Sequence, residues 1–285
     1  MSHKYLIVGL AVAAIASPAQ GADKAKSYPN ISVSIPFEIQ NNAAYSSDVA
    51  TNESNNLTGK IAPVITGRFT PEISVTTELT FEQVQDPAFP GEDQFFDNHG
   101  LYVSVLTANY DTDRFSVFGG KFGVNSGIAW DVTPGLFGTD LAEEYELSEN
   151  LGLGGSVSTT KSKFGKHTLS ASSFFADTSG LAESAFTRRR KTREGSGGPG
   201  NTGDFGSFAM ALDGQEFSAI PGLRYHLSYV TLGNDTALAS DESRIAIGAD
   251  YQINVTKKFG LYGNVEYVNI DNADGTNDQD RFYFT

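Results

Sequence analysis

Cysteine is absent from the 285 residues, which excludes disulfide frameworks, thiolate metal sites and cysteine nucleophiles together. Basic side chains are scarce. Lys and Arg total 20 against 34 Asp and Glu, a formal charge of −14. So acidic a chain is poorly suited to nucleic acid, whose phosphates need basic partners. Charged residues of both signs make up only 19%, below the roughly 25% usual in soluble domains. Trp occurs once and Met twice. After the first residues no apolar run approaches the about 20 residues that a membrane helix requires.

What is abundant points to strands. Gly at 30, Phe at 20 and Tyr at 12 suit many strands joined by glycine-rich turns better than a helical bundle. Aromatic and β-branched residues recur along the whole length, which argues against glycine-rich disorder. The length fits one large domain or two small ones.

The first residues read as an export signal. His3 and Lys4 precede the apolar run Leu6–Ala16, and Ser17-Pro-Ala-Gln-Gly21 adds a helix break and small residues. Charge, short apolar core and small-residue exit are the parts of a secretory signal peptide. Cleavage is expected after Gly21, with Ala22 as the neighbouring choice. The expected organisation is a signal peptide over 1–21 and one domain over 22–285.

The remainder alternates. Ile31, Val33, Ile35, Phe37 and Ile39 are interleaved with Ser32, Ser34, Glu38 and Gln40. Ile73, Val75, Leu79 and Phe81 alternate with Ser74, Thr76, Glu78, Thr80 and Glu82. Leu151, Leu153 and Val157 do so with Gly152, Ser156 and Ser158. Leu223, Tyr225, Leu227 and Tyr229 do so with Arg224, His226 and Ser228. Ile245, Ile247, Tyr251 and Ile253 complete the series, with Arg244, Gly248, Asp250 and Gln252 between them. Successive strand side chains point opposite ways, so each segment has one apolar and one polar face.

Short links near 70–72, 111–114, 160–166, 213–222 and 256–258 are interspersed with longer polar ones near 41–56, 85–99, 123–148, 177–204, 234–241 and 271–279. Short turns at one end and long loops at the other are the signature of an outer-membrane meander. A soluble sandwich would also alternate, but segments of roughly 9–11 residues match tilted strands crossing a bilayer. Tyr102, Tyr110, Tyr225, Tyr229, Tyr262 and Tyr267 near strand ends suit interfacial girdles. The expected fold is therefore all-β: an antiparallel up-and-down transmembrane β-barrel of about 12 strands, an even number as such barrels require. The last strand, Arg281–Thr285, is half the usual length and lacks a terminal aromatic, from which a C-terminal truncation is expected.

Between Gly120 and about Leu232 the chain resembles a porin-like family of Gram-negative outer-membrane β-barrel proteins. The residues concerned are Gly120-Lys-Phe122, Ala129-Trp-Asp131, Pro134-Gly135, Gly138-Thr-Asp140, Ala142-Glu-Glu-Tyr-Glu-Leu147 and Leu151-Gly152. A second block comprises His167-Thr-Leu169, Phe174-Phe-Ala-Asp177, Gly197 to Gly203 and Pro221-Gly-Leu-Arg-Tyr225. The resemblance covers a little under half the chain and implies a barrel that passes solutes. The first hundred residues depart from it.

Two charged constellations stand out. Asp131, Asp140, Glu143, Glu144, Glu146 and Glu149 fall between Phe122 and Thr160, where there is no Lys or Arg. A short helix is expected within Thr139–Leu147. Arg188, Arg189 and Arg190 belong to the one dense basic run. Folded inward, Asp131, Asp140, Glu143, Glu144 and Glu146 facing those arginines would narrow a pore and set a field across it. The alternative is two solvated outer loops, the basic one meeting anionic headgroups or sugars. Pore-lining candidates on the polar faces are Ser32, Ser34, Glu38, Ser74, Thr76, Glu78, Arg224, His226, Arg244, Asp250, Asn264 and Glu266.

Catalytic and metal chemistry find little support. Gly195–Gly203 lacks the Gly-Lys-Ser/Thr ending of a phosphate loop. Asp271–Asp280 fails the calcium-loop spacing. His99, His167 and His226 show no zinc spacing. Ser170 with His167, or Ser228 with His226, are neighbours without a third catalytic member in view. No cofactor, no metal and no enzymatic activity are expected.

The function expected is an outer-membrane porin-like channel for passive diffusion of small hydrophilic solutes or ions. The alternatives are a ligand-specific uptake channel or receptor, and an outer-membrane enzyme or structural barrel with a plugged lumen. Expected partners are outer-membrane lipid and lipopolysaccharide, the barrel-assembly machinery and the solutes themselves. Nucleic acid is not among them, and assembly into a homo-oligomer stays open. The location follows: the cell outer membrane, reached through the periplasm.

Overall fold

The computed structural model describes residues 14–16, 27–134, 138–189, 192–235, 240–276 and 279–285. Arg190 and the expected cleavage point at Gly21 lie outside them.

The chain is all-β. In order come β1 (Ala14–Ala16), β2 (Asn30–Ala44), β3 (Ser54–Ile61), β4 (Val64–Arg68), β5 (Ile73–Gln83), β6 (Gln94–Phe95), β7 (His99–Asp111) and β8 (Phe115–Phe122). The short helices α1 (Ala129–Val132) and α2 (Asp140–Glu143) follow. Then come β9 (Asn150–Ser158), β10 (Lys166–Ala176), β11 (Ala185–Phe186), β12 (Ser207–Gln215), β13 (Leu223–Leu232), β14 (Glu242–Asn254), β15 (Gly260–Asp271) and β16 (Arg281–Phe284). The strands form a large, mostly antiparallel sheet, with one parallel pair between β3 and β6.

The expected count of about 12 strands is too low: sixteen are found among the described residues. Three of the surplus, β1, β6 and β11, are pairings of two or three residues that carry no periodicity. The fourth arises at Ala62–Pro63, where Pro63 has no N–H for the ladder and divides one long strand into β3 and β4. The neighbours continue across the break, since Ala62 N–H donates to the Pro36 carbonyl (3.0 Å) and Leu79 N–H to the Pro63 carbonyl (3.1 Å).

The chain divides into two compact units. The first comprises 1–70, 74–106 and 179–191; the second comprises 71–73, 107–178 and 192–285. In the first, β2 pairs with β3 and β4, and β4 with β5. β11 lies against the start of β7. In the second, β8, β9, β10, β12, β13, β14, β15 and β16 follow one another as antiparallel neighbours. The β12–β13 turn depends on Gly222, whose φ of +93° favours glycine. A Cβ there would also stand 1.9 Å from the Gln252 carbonyl oxygen.

Polarity is inverted relative to a soluble sheet. On β13–β15 the residues Leu227, Tyr229, Ile245, Ile247, Val265 and Tyr267 are exposed, Ile247 by 53%. Their alternates His226, Ser228, Asp250 and Glu266 are buried. In the first unit Ile31, Val33, Ile35, Phe37 and Ile39 of β2 are likewise exposed. The period-two pattern thus fixes two faces, and the buried one is the polar one.

That buried face is apolar only at two patches of the second unit. Phe122, Val124, Phe174, Ala209, Val230 and Leu232 form one; Ala129, Ala142, Tyr145, Ala246, Val268, Ile270 and Ala273 form the other. Both include residues of the 123–149 segment. The core of this unit is therefore a loop packed on the sheet.

Candidate functional site

The 123–149 segment is fastened at its base and along its length. Lys121, at the end of β8, is wholly buried between Glu149 (2.6 Å) and Asp177 (2.8 Å). Two carboxylates compensate one buried ammonium, and this ties the two ends of the loop to the end of β10.

Farther in, Glu266 of β15 anchors α1 and the chain after α2. Its carboxylate accepts from Ile128 N–H (2.6 Å), Ala129 N–H (3.3 Å) and the Tyr145 hydroxyl (2.8 Å). A helix start leaves backbone N–H groups without internal partners. The N-cap of α1 is Ile128, whose side chain cannot bond them. Glu266, 1% exposed, supplies the missing acceptor from across the unit. Burial is the largest influence raising the Tyr145 hydroxyl above its ordinary pKa of 10.0; bonding to Thr285 opposes this and bonding to Glu266 adds to it.

Further contacts dock the same loop on the polar face. Ser228 donates to the Ser126 carbonyl (3.0 Å), Asn264 to the Thr133 hydroxyl (2.8 Å) and Asn125 to Asp213 (3.0 Å). Arg244 reaches the Tyr145 carbonyl (2.7 Å) while pairing with Glu242 (2.6 Å). Arg224 pairs with Asp250 at 2.9 Å. His226, fully buried, bonds Asp213 through Nδ1 (2.7 Å); its Nε2 is buried with no partner among the described residues.

The acidic constellation is divided. Asp131 and Glu146 line a cavity of about 330 Å³ together with Glu266, Trp130 and Tyr145. Asp140, Glu143 and Glu144 are outside that lining and exposed; Asp131 is exposed too, and Glu146 is half-buried. Partial desolvation, the largest influence, raises the Asp131 carboxyl above its ordinary range; His226 and Arg224 oppose this, and Glu266 adds to it. The helix expected within 139–147 is α2, and α1 is a second one.

Arg188 and Arg189 belong to the first unit, whereas the acidic loop belongs to the second. Arg188 is exposed. Arg189 donates to the Ala182 carbonyl (2.9 Å) and stacks over the Tyr102 ring at 3.7 Å. Tyr102 donates to Glu82, so it lies among polar partners rather than in the aromatic belt expected of it. Glu78 accepts from Ser104 (2.8 Å). Glu38 lines a polar cavity of about 900 Å³ with Lys60 and Glu82. Ser32 is exposed, whereas Ser34, Thr76 and Asn264 are half-buried and Ser74 is buried.

Participants missed by the sequence include Lys121, Asp177, Ile128, Ala129, Tyr145 and Asp213. Neither periodicity nor motif spacing marks Lys121, Ala129 or Tyr145 in the sequence. No protein-family model, curated protein or solved structure matches the chain.

Proposed function

We propose that the chain is an exported outer-membrane β-barrel of porin-like type that lets small hydrophilic solutes or ions diffuse passively through a polar lumen. The inverted polarity carries this reading. Exposed rows such as Leu227, Tyr229, Ile245, Ile247 and Tyr267 would make a large apolar patch unfavourable in water. Facing lipid, the same rows are stabilising, and the alternate polar rows line a passage. Outer-membrane lipid, lipopolysaccharide and the assembly machinery are its partners on this reading. The 123–149 loop narrows the passage, with Asp131 and Glu146 as the acids nearest the constriction and Glu143 and Glu144 more peripheral.

Planar bilayers test this. The purified chain conducts, with reversal potentials in a salt gradient that favour cations, since charges act within a Debye length of about 8 Å. Asp131→Asn with Glu146→Gln moves the reversal potential toward neutrality. Silent bilayers with correctly inserted protein exclude the channel.

A second reading, a structural barrel with a plugged lumen, draws on the triple hydrogen bond of Glu266 to the loop. Conductance that appears only when Glu266 is replaced would support the plug.

A further inference from the structure

Within the first unit, β2, β3, β5 and the segment 84–88 line the cavity of about 900 Å³. That volume lies in the range of small-molecule sites. Its walls are polar on every strand, and their charge is one-sided.

Glu82 is satisfied on both oxygens, by the Lys60 ammonium at 2.9 Å and by the Tyr102 hydroxyl. Gln83 is satisfied as well. Its oxygen accepts from Asn56 Nδ2 (3.1 Å), and its nitrogen donates to the Gln85 carbonyl (3.1 Å) and to Gln94. The Lys60 ammonium, paired with Glu82, lies in the field of Glu38, its cross-strand neighbour, without bonding it. Glu38 and Asp86 have no hydrogen-bond or ion-pair partner among the described residues. The lining thus holds three carboxylates against one ammonium.

With three carboxylates to one ammonium, such a lining repels anions. It suits a solute bringing positive charge and several N–H groups. We infer that this cavity is a saturable site for organic cations of the guanidinium or primary-ammonium class, with Glu38 and Asp86 as the charge-recognising groups. The inference deepens the channel reading and rests on it for the route by which solute arrives. A neutral polyol could also use the acceptors, but gains nothing from the uncompensated charge, so selectivity separates the two.

The test is calorimetric titration of the full chain in detergent with agmatine, sucrose and glutamate, paired with agmatine block of bilayer conductance. Agmatine is expected to bind saturably, at least tenfold more tightly than sucrose, with no heat from glutamate. Glu38→Gln with Asp86→Asn weakens agmatine at least tenfold at unchanged melting temperature. Should the double variant misfold, Asp86→Asn alone, at an exposed position, is expected to weaken binding at least threefold. Equal affinity for agmatine and sucrose, or agmatine binding unmoved by a folded variant, overturns the site. Conductance without agmatine binding overturns the site and leaves the channel standing. Selective binding with silent bilayers upholds the site and removes the channel.

Discussion

Gly248 and Glu266 are cross-strand partners, and the space left by the missing side chain of the first is filled by the residue that the second holds. A Cβ at 248 would lie 2.8 Å from Ile128 Cγ1 and 3.0 Å from Glu266 Oε2. Ile128 in turn donates its N–H to Glu266. One strand position makes room for the loop while its neighbour fixes the loop in that room.

The first prediction concerns the anchor. Glu266→Ala strands two backbone N–H groups and leaves the Tyr145 hydroxyl with Thr285 alone. Each unsatisfied buried donor costs about 1–3 kcal/mol. Hydrogen exchange at the Ile128 and Ala129 amides should accelerate by about tenfold or more, with Glu266→Gln between the variant and the parent. Exchange rates equal in all three proteins would show that the carboxylate does not hold α1.

Gly248→Val tests the space itself. Overpacking there should cost about 1–3 kcal/mol and push the loop off the sheet. Trp130, the one tryptophan, packs partly buried beside the Ala129–Tyr145 patch and reports this as a red shift in emission. Gly263→Ala on β15, where a Cβ meets nothing within 4 Å, is the control and should leave the emission unchanged.

The exposed apolar rows make a prediction about assembly. Ile247→Lys and Leu227→Lys place charge on the face assigned to lipid, at a cost of about 2–4 kcal/mol near the midplane. Ser156→Lys, on the half-buried polar side, should assemble far better. Urea-dependent folding into vesicles measures the difference, and equal behaviour of the two classes would invert the assignment of faces.

Alkaline pH should release the loop locally. The Tyr145 pKa is raised in the folded protein above its ordinary 10.0, first by burial. The folded state therefore favours the protonated phenol. Its docking contribution is fully present below pH about 10 and lost as pH rises toward the folded value. Trp130 emission should shift red in that window, and Tyr145→Phe should abolish this component of the shift. A shift of the same size in the Phe variant would assign it to another group.

Much of the frame was legible because strand periodicity is local. Ile245, Ile247 and Tyr251 on one face, with Arg244, Gly248 and Asp250 on the other, could be assigned from a dozen consecutive letters. His226 and Asp250 were picked out in the same way, and Glu266 was named a lining candidate from a strand whose alternation is less clear. The docking of the loop could not be. Glu266 meets Ile128 from 138 positions away, and no periodicity spans that distance. Gly248 contributes by lacking a side chain, which a sequence does not distinguish from an ordinary turn former. The surplus strands were invisible because two-residue pairings have no period, and Pro63 breaks a ladder whose neighbours run on.

The long reach of Glu266 also bears on the order of events as the chain folds. α1 is made early from the N-terminus, but its acceptor arrives only with β15. Until that hairpin closes, the N–H groups of Ile128 and Ala129 and the apolar side of Tyr145 have no place to go, since β14 and β15 supply both the acceptor and the surface. Contacts so distant in sequence form late, after the entropy of closing the intervening chain has been met. Loop insertion is thus a final step that reports completion of the C-terminal strands, and a chain stalled before β15 would carry this loop undocked, a mark by which an assembly or quality-control factor could tell it from the finished protein.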